Sequence, residues 1–460
     1  MGFYNKTINM VRRLEILFSV LFLLVGFLQN CSLTFGNSII SVVQWPTVAL
    51  GGLLVLYRLF YNKFYIKTPV IWPLVAFVVS YVLSMVVNYK YGIYENFRGL
   101  IFLIFQIGLL YAFNFNEEKA FAKKKFVISA HFYIIVLAIM SLASLITMFF
   151  GVCNIYEQEV GPTIVVGFAW GRLFGVYWDP NIAAAMSAIS VLLSILFLRN
   201  SRKIFKALYI VNIVVQVLYI VFSASRTGVV GLTLALVIYF ALYLSKYCFK
   251  KIKQKLLKGA LVVLCVLLIG VAAFRGPNYI KNGYNALTEY IISHYDVETD
   301  NNILISSDGR EEDIASDISN RRFDIWESAT QIFVSSPVFG ASHNNIVPYT
   351  RENLPDAYIL TNDHMIFYSM HNVIFDIMAS QGILGVFSFG ISALLLLVFI
   401  IMKRKQFFDG DSANYNFAML SIIGTVLACS MFITEIVYVI SPFTLIFWLS
   451  AGCLVRELSE

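Results

Sequence analysis

The chain has 460 residues, of which 59% are hydrophobic, 16% aromatic and 13% charged, with a formal net charge of +7. Soluble domains carry about 25% charged residues, so this composition cannot cover its own surface in water and excludes an ordinary soluble protein. The positive balance does not indicate a nucleic-acid partner, because the basic residues fall in short runs between apolar stretches, as topology determinants do.

A bilayer core needs about 20 apolar residues per helix. About twelve stretches qualify in chain order, at 14–30, 39–57, 69–87, 97–115, 127–150, 181–198, 206–222, 227–245, 257–274, 383–402, 415–434 and 438–455. The first follows Arg12-Arg13 and has no small-residue cleavage site after it, so it is expected to be a retained span. With the N-terminus inside, every inner connection is basic, and most of the 34 Lys and Arg residues lie there. The expectation is an all-α, multi-pass protein of a bacterial plasma (inner) membrane with both termini cytoplasmic. The six cysteines have no CxxC pair and no metal spacing; a disulfide is open only to Cys31 and Cys153.

Two outer segments exceed mere connectors. The expected organisation is therefore 1–150 (spans 1–5), 151–180 (an external or re-entrant segment), 181–275 (spans 6–9), 276–370 (a large external loop) and 371–460 (spans 10–12). The 151–180 segment is rich in glycine and aromatics and suits a hairpin at the interface. The larger one begins with an amphipathic stretch and passes through an acidic run, after which a second helical pattern follows, RFDIWESATQIFVSS. Long loops in compact proteins tend to be functional. No internal repeat is evident, which counts against inverted-repeat transporters.

Arginine near a span is costly and usually has a task. Arg226 stands in SASRTG beside Ser223, Ser225 and Thr227; it is either an interfacial anchor that snorkels to lipid phosphate or a guanidinium aimed at an anionic headgroup. Arg172 stands in GRLFGVYWDPN, in surroundings suited to a sugar or headgroup. Asp179 and Asn181 bracket Pro180 there, a good helix start in which Asp179 caps. Arg321 and Arg322 open a helix whose Phe323, Trp326 and Phe333 can share a packed face, and the positive helix N-terminus makes arginine there better suited to an anionic ligand. His371, in MHNVIFD directly before a span, is the side chain best suited to general-base work near neutral pH. His343 and His364 are weaker candidates. The DGD at Asp409–Asp411 has a metal-binding spacing but reads as a turn.

These motifs in this order resemble the O-antigen polymerase and O-antigen ligase superfamily. The resemblance covers residues 160–400 and is carried by Arg172 with GRLFG and DPN, Arg226 in SRTG, Arg322 with Trp326 and PVFG, and HNVIFD with QGILG. It implies a GT-C-like membrane glycosyltransferase using neither nucleotide sugar nor metal, with no cofactor and a glycan on undecaprenyl diphosphate as donor. It assigns His371, Arg226 and Arg322 to catalysis, with His371 activating the attacking hydroxyl and inversion at the anomeric carbon. Arg172, Arg321, Asp179, Asn181, Trp326 and Asn372 are assigned to substrate binding. Partners implied are membrane lipids and a chain-length regulator and flippase of the same pathway. The aromatic context resembles capsule or exopolysaccharide repeat-unit polymerases, so a polymerase is preferred to a ligase acting on lipid A core. A transferase to protein, a flippase for the same lipid-linked glycan and a scaffold remain open.

Overall fold

The computed structural model describes residues 2–34, 37–61, 63–113, 118–156, 163–199, 201–248, 254–295, 321–362, 366–410 and 412–459. The first half holds α1 (Gly2–Gln29), α2 (Ile39–Tyr61), α3 (Ile71–Val87), α4 (Tyr94–Phe105) and α5 (Lys119–Phe149). Then come β1 (Cys153–Tyr156), β2 (Ile164–Ala169) and β3 (Arg172–Gly175), followed by α6 (Pro180–Leu198), α7 (Lys203–Phe222), α8 (Arg226–Tyr243) and α9 (Lys255–Tyr295). The last third holds α10 (Arg322–Ser335), α11 (Ile346–Asn353), α12 (Tyr358–Thr361), α13 (Val373–Met402), α14 (Arg404–Phe408), α15 (Ala413–Cys429) and α16 (Pro442–Leu458).

The twelve apolar stretches fall largely on helices, but among the described residues seven helices are long and apolar enough to cross a membrane: α2, α5, α6, α7, α8, α9 and α13. The expected twelve is not reached because α3, α15 and α16 have 17 residues each, about 25 Å at 1.5 Å per residue, and because the 28-residue α1 carries Arg12, Arg13 and Glu15. α4 also passes into a π-helical turn over Gln106–Tyr111. Arg58, expected in a basic inner connection, is instead buried. Its Nη2 lies 2.6 Å from Glu15 Oε1 and its Nη1 donates to the Ala112 carbonyl at 2.9 Å, tying α1 and α2 to the end of that turn.

The all-α expectation needs one correction, because β1, β2 and β3 form a three-stranded antiparallel sheet in that order. The two residues between β2 and β3, Trp170 and Gly171, both have positive φ (51° and 66°). That is the turn that matches the twist of a tight hairpin, and it places Arg172 opposite Ala169. The hairpin expected in 151–180 is thus present, with β2 fully buried. Cys31 and Cys153 are free thiols.

α9 runs unbroken to Tyr295 with Pro277 inside it, so the boundary expected at 275/276 falls within a helix. The acidic run at 296–320, His364 and Asp411 lie outside the described residues. Asp409 and Gly410 follow α14 as a turn, with Gly410 at φ 72°. Helices α10 to α12 share a core with the start of α13, formed by Ile325, Ala329, Ile332, Ile346, Ile359 and Met370. The packed face of α10 is therefore Ile325, Ala329 and Ile332, spaced four and three apart. Phe323 of the expected face is 67% exposed.

α13 begins ten residues before the expected 383 and kinks at Gly382 (φ 59°, ψ −152°). The PVFG turn docks into this kink: Ile383 N–H donates to Pro337 O (2.9 Å), and Ala341 and Ser342 N–H donate to Ala379 O and Ser380 O (2.8 and 2.9 Å). A β-carbon at Gly382 would lie 2.6 Å from Pro337 O. Gly382→Val should therefore destabilise the protein by about 1–3 kcal/mol or more through backbone strain and overlap, read as a lower thermal unfolding midpoint in detergent. A variant that melts with wild type would contradict this packing.

The expected spans 415–434 and 438–455 leave only a tight turn between them. Instead α15 ends at Cys429, α16 starts at Pro442, and residues 430–441 are non-helical. Ile436 and Tyr438 within this segment have φ 79° and 68°, a conformation that costs a residue with a β-carbon about 1–3 kcal/mol and persists only where its surroundings enforce it.

Candidate functional site

Four helices begin with the same local device, a small polar residue whose side chain accepts the N–H groups of the first turn. Asp179 Oδ1 accepts Asn181 N–H (2.6 Å) at α6, with Pro180 in the first helical position. Ser225 Oγ accepts Gly228 N–H (3.1 Å) at α8. Asn372 Oδ1 accepts Ile374 N–H (2.9 Å) at α13, and Ser441 Oγ accepts Thr444 N–H (3.0 Å) at α16. A helix N-terminus carries partial positive charge, so these starts favour anions where they meet.

The starts of α6 and α8 are joined by Asn181, whose Oδ1 accepts from Ser225 Oγ (3.1 Å) and Arg172 Nη2 (2.8 Å). Arg172 Nε also donates to Ser223 O (2.9 Å). The hairpin arginine thus ties β3 to the start of α6 and the end of α7. Arg226, the first residue of α8, directly follows the cap and is exposed. So Arg172, Asp179, Asn181 and Arg226 form one group.

Arg322, Trp326, His371 and Asn372 form a second group around residues 430–434. Arg322 is the first residue of α10, as expected, and its Nη2 donates to Phe432 O (3.1 Å) with the guanidinium 5.6 Å from the Phe432 ring. Asn372 Nδ2 donates to Met431 O (3.1 Å), while its oxygen caps α13. Trp326 stacks on Phe375 (5.0 Å, 11°) and its indole N–H donates to Met370 O (3.0 Å). Arg321, exposed, precedes the helix with φ 62°.

His371 has φ 50°, the left-handed region. Burial pushes its pKa down; the nearby Asp179 carboxylate opposes this and the Arg322 guanidinium adds to it. Cys429 Sγ lies 3.8 Å from Thr227 O at the start of α8, and the next residue, Ser430, accepts Val373 N–H at 2.8 Å at the start of α13, so the two groups lie at one end of the helix bundle. His343 sits apart, at the α13 kink, stacked on Tyr438 (4.3 Å, 17°), with burial pushing its pKa down to about 4.

Sequence reasoning missed Asp376, and it marked Glu435 only as the one acid of the last two expected spans, near their outer end. Asp376 is fully buried and accepts Met370 N–H (2.7 Å) and the Thr434 hydroxyl (2.8 Å). Glu435, also fully buried, accepts the Ser441 and Thr444 hydroxyls. The available signal was their cost: an acid in so apolar a run requires partners.

An uncharacterized protein of Haemophilus influenzae is 21% identical over 238 residues, 51% of this chain and 52% of that protein, so the match spans about half the length of the relative. Residues 210–390 match the O-antigen ligase family model. That stretch includes Arg226, Arg322 and His371 but neither Arg172 nor the segment 430–441. The match agrees with the resemblance of these motifs to the O-antigen polymerase and O-antigen ligase superfamily.

Proposed function

We propose that the protein is a membrane glycosyltransferase that joins glycan repeat units carried on undecaprenyl diphosphate, at the outer face of a plasma membrane. The observation that carries this reading is the gathering of a half-buried His371, Arg322 and the starts of α6, α8 and α13 at one end of the bundle. The connections at the other end are basic, which supports an outward-facing site.

The acceptor sugar's hydroxyl oxygen bonds to the anomeric carbon of the donor as the bond from that carbon to the diphosphate oxygen breaks. The electron pair leaves with the diphosphate and the hydroxyl proton passes to His371. Attack opposite the leaving group inverts the anomeric carbon. Negative charge grows on the diphosphate, and guanidinium groups stabilise it through charge-assisted, bidentate hydrogen bonds. Arg226 and Arg322 take this role. Arg172, Arg321, Asp179, Asn181, Trp326 and Asn372 shape the donor side, where Arg172 and Asn181 work chiefly by holding the α6 and α8 starts together. The polymerase reading rests on the resemblance of the aromatic context. The O-antigen ligase description of the matched family model favours transfer to a lipid A core as the second reading.

Purified protein supplied with lipid-diphosphate-linked repeat units and EDTA should build a ladder of glycan lengths on a gel. His371→Ala should slow it by about 10²–10⁴-fold, as expected for loss of a general base. Transfer only after addition of lipid A core would assign the ligase. A folded wild-type protein inactive with both acceptors would remove the transferase reading.

Replacing Arg226 or Arg322 by Gln should reduce turnover by about 10²–10³-fold, the range for one lost transition-state donor. Turnover that stays at the wild-type level in both variants would exclude these arginines from diphosphate stabilisation.

The neutral imidazole is the active form. Because burial lowers the His371 pKa, the midpoint of its protonation should lie below the ordinary value of about 6.5. The acid limb of the rate should therefore be centred below about 6.5. An acid limb centred above that value would contradict the assignment.

A further inference from the structure

We infer that Asp376 is a positioning residue that sets His371 and Arg322 in register with each other; this rests on the proposed role of His371 as the base. Asp376 lies in the first turn of α13, where an acid is favoured by the helix dipole. A dipole partner, however, works well in solvent. Asp376 is fully buried, and its two oxygens take specific donors. Oδ1 accepts the N–H of Met370, the residue before His371, at 2.7 Å. The carbonyl of the same residue is held by the Trp326 indole at 3.0 Å. The peptide groups leading into His371 are thus clamped on both sides, and His371 follows with φ 50°. A histidine holds that conformation only where its neighbours enforce it.

Oδ2 accepts the Thr434 hydroxyl at 2.8 Å. Thr434 belongs to the non-helical segment 430–441, whose Phe432 carbonyl receives Arg322 and whose Met431 carbonyl receives Asn372. One carboxylate therefore joins the turn that carries the base to the strand of backbone that holds an anion-binding guanidinium. Nothing in this arrangement needs Asp376 to touch substrate. It acts by accepting two hydrogen bonds, a task that an uncharged amide oxygen can share. Thr434, able to donate or accept, can still pair with an asparagine in its place.

The test compares Asp376→Ala, Asp376→Asn and Thr434→Val with wild type and His371→Ala in the glycan-ladder assay, each purified and checked for a monodisperse, folded state. Asp376→Ala should lower kcat about ten- to a hundred-fold with KM within about three-fold, as misplacement of a reacting group does. Asp376→Asn should recover kcat to within about three-fold of wild type. Wild-type kcat in Asp376→Ala would overturn the inference. So would an Asp376→Asn as impaired as Asp376→Ala, since the residue would then act through its charge.

If Asp376→Ala does not fold, Thr434→Val carries the test. It should lower kcat about three- to ten-fold at unchanged KM, and an unchanged kcat would overturn the coupling. A fully active His371→Ala would sink the base reading itself. An inactive His371→Ala beside a fully active Asp376→Ala would sink only the present inference.

Discussion

The structure depends on how it satisfies the backbone of residues 430–441, which lies between two apolar helices without being helical. Within a membrane protein such backbone is tolerated only where protein supplies its hydrogen bonds. Each buried group left alone costs about 1–3 kcal/mol. Here the partners come from all sides. Val373 N–H takes Ser430 O, Asn372 takes Met431 O, and Arg322 takes Phe432 O. Trp448 takes Ile436 O and Gln106 takes Val439 O. Together these bonds outweigh the strain at Ile436 and Tyr438, and they draw the starts of α10 and α13 onto one segment. The bonds that stabilise the fold are therefore the bonds that bring Arg322 and His371 together.

The other half of the site is organised by the hairpin and by repeated helix capping. Trp170-Gly171 turns β2 into β3 and delivers Arg172 to the gap between α6 and α8, where Asn181 accepts from both sides. Asp179 caps α6 and also acts electrostatically on His371. Its negative charge favours the protonated imidazole, while burial and Arg322 favour the neutral one. Both influences bear on the proton transfer proposed for His371.

The chemically expensive residues were legible in the amino-acid sequence, because lipid makes charge conspicuous: arginine at span ends and a histidine just before a span stand out against an apolar background. Helix starts were legible for a local reason, since Asp179-Pro180 caps its helix through atoms only two residues apart. Asp376 and Thr434 were not, because their meaning lies in a contact across 58 positions of chain. The same holds for the packed face of α10, chosen by the small core around Ile359 and Met370 rather than by aromatic spacing.

By itself, then, the sequence determined a lipid solvent, a mainly helical chain, the approximate places of its apolar helices and the identities of Arg172, Arg226, Arg322 and His371 as costly polar groups. Those follow from composition and local periodicity, which act within a turn or two of helix. Only the tertiary structure decided that α13 kinks at Gly382 to receive the PVFG turn, that residues 430–441 stay unwound, and that one buried carboxylate links the histidine turn to the arginine-holding backbone. These depend on which distant donors reach each buried acceptor, and that choice is made by packing, not by local sequence.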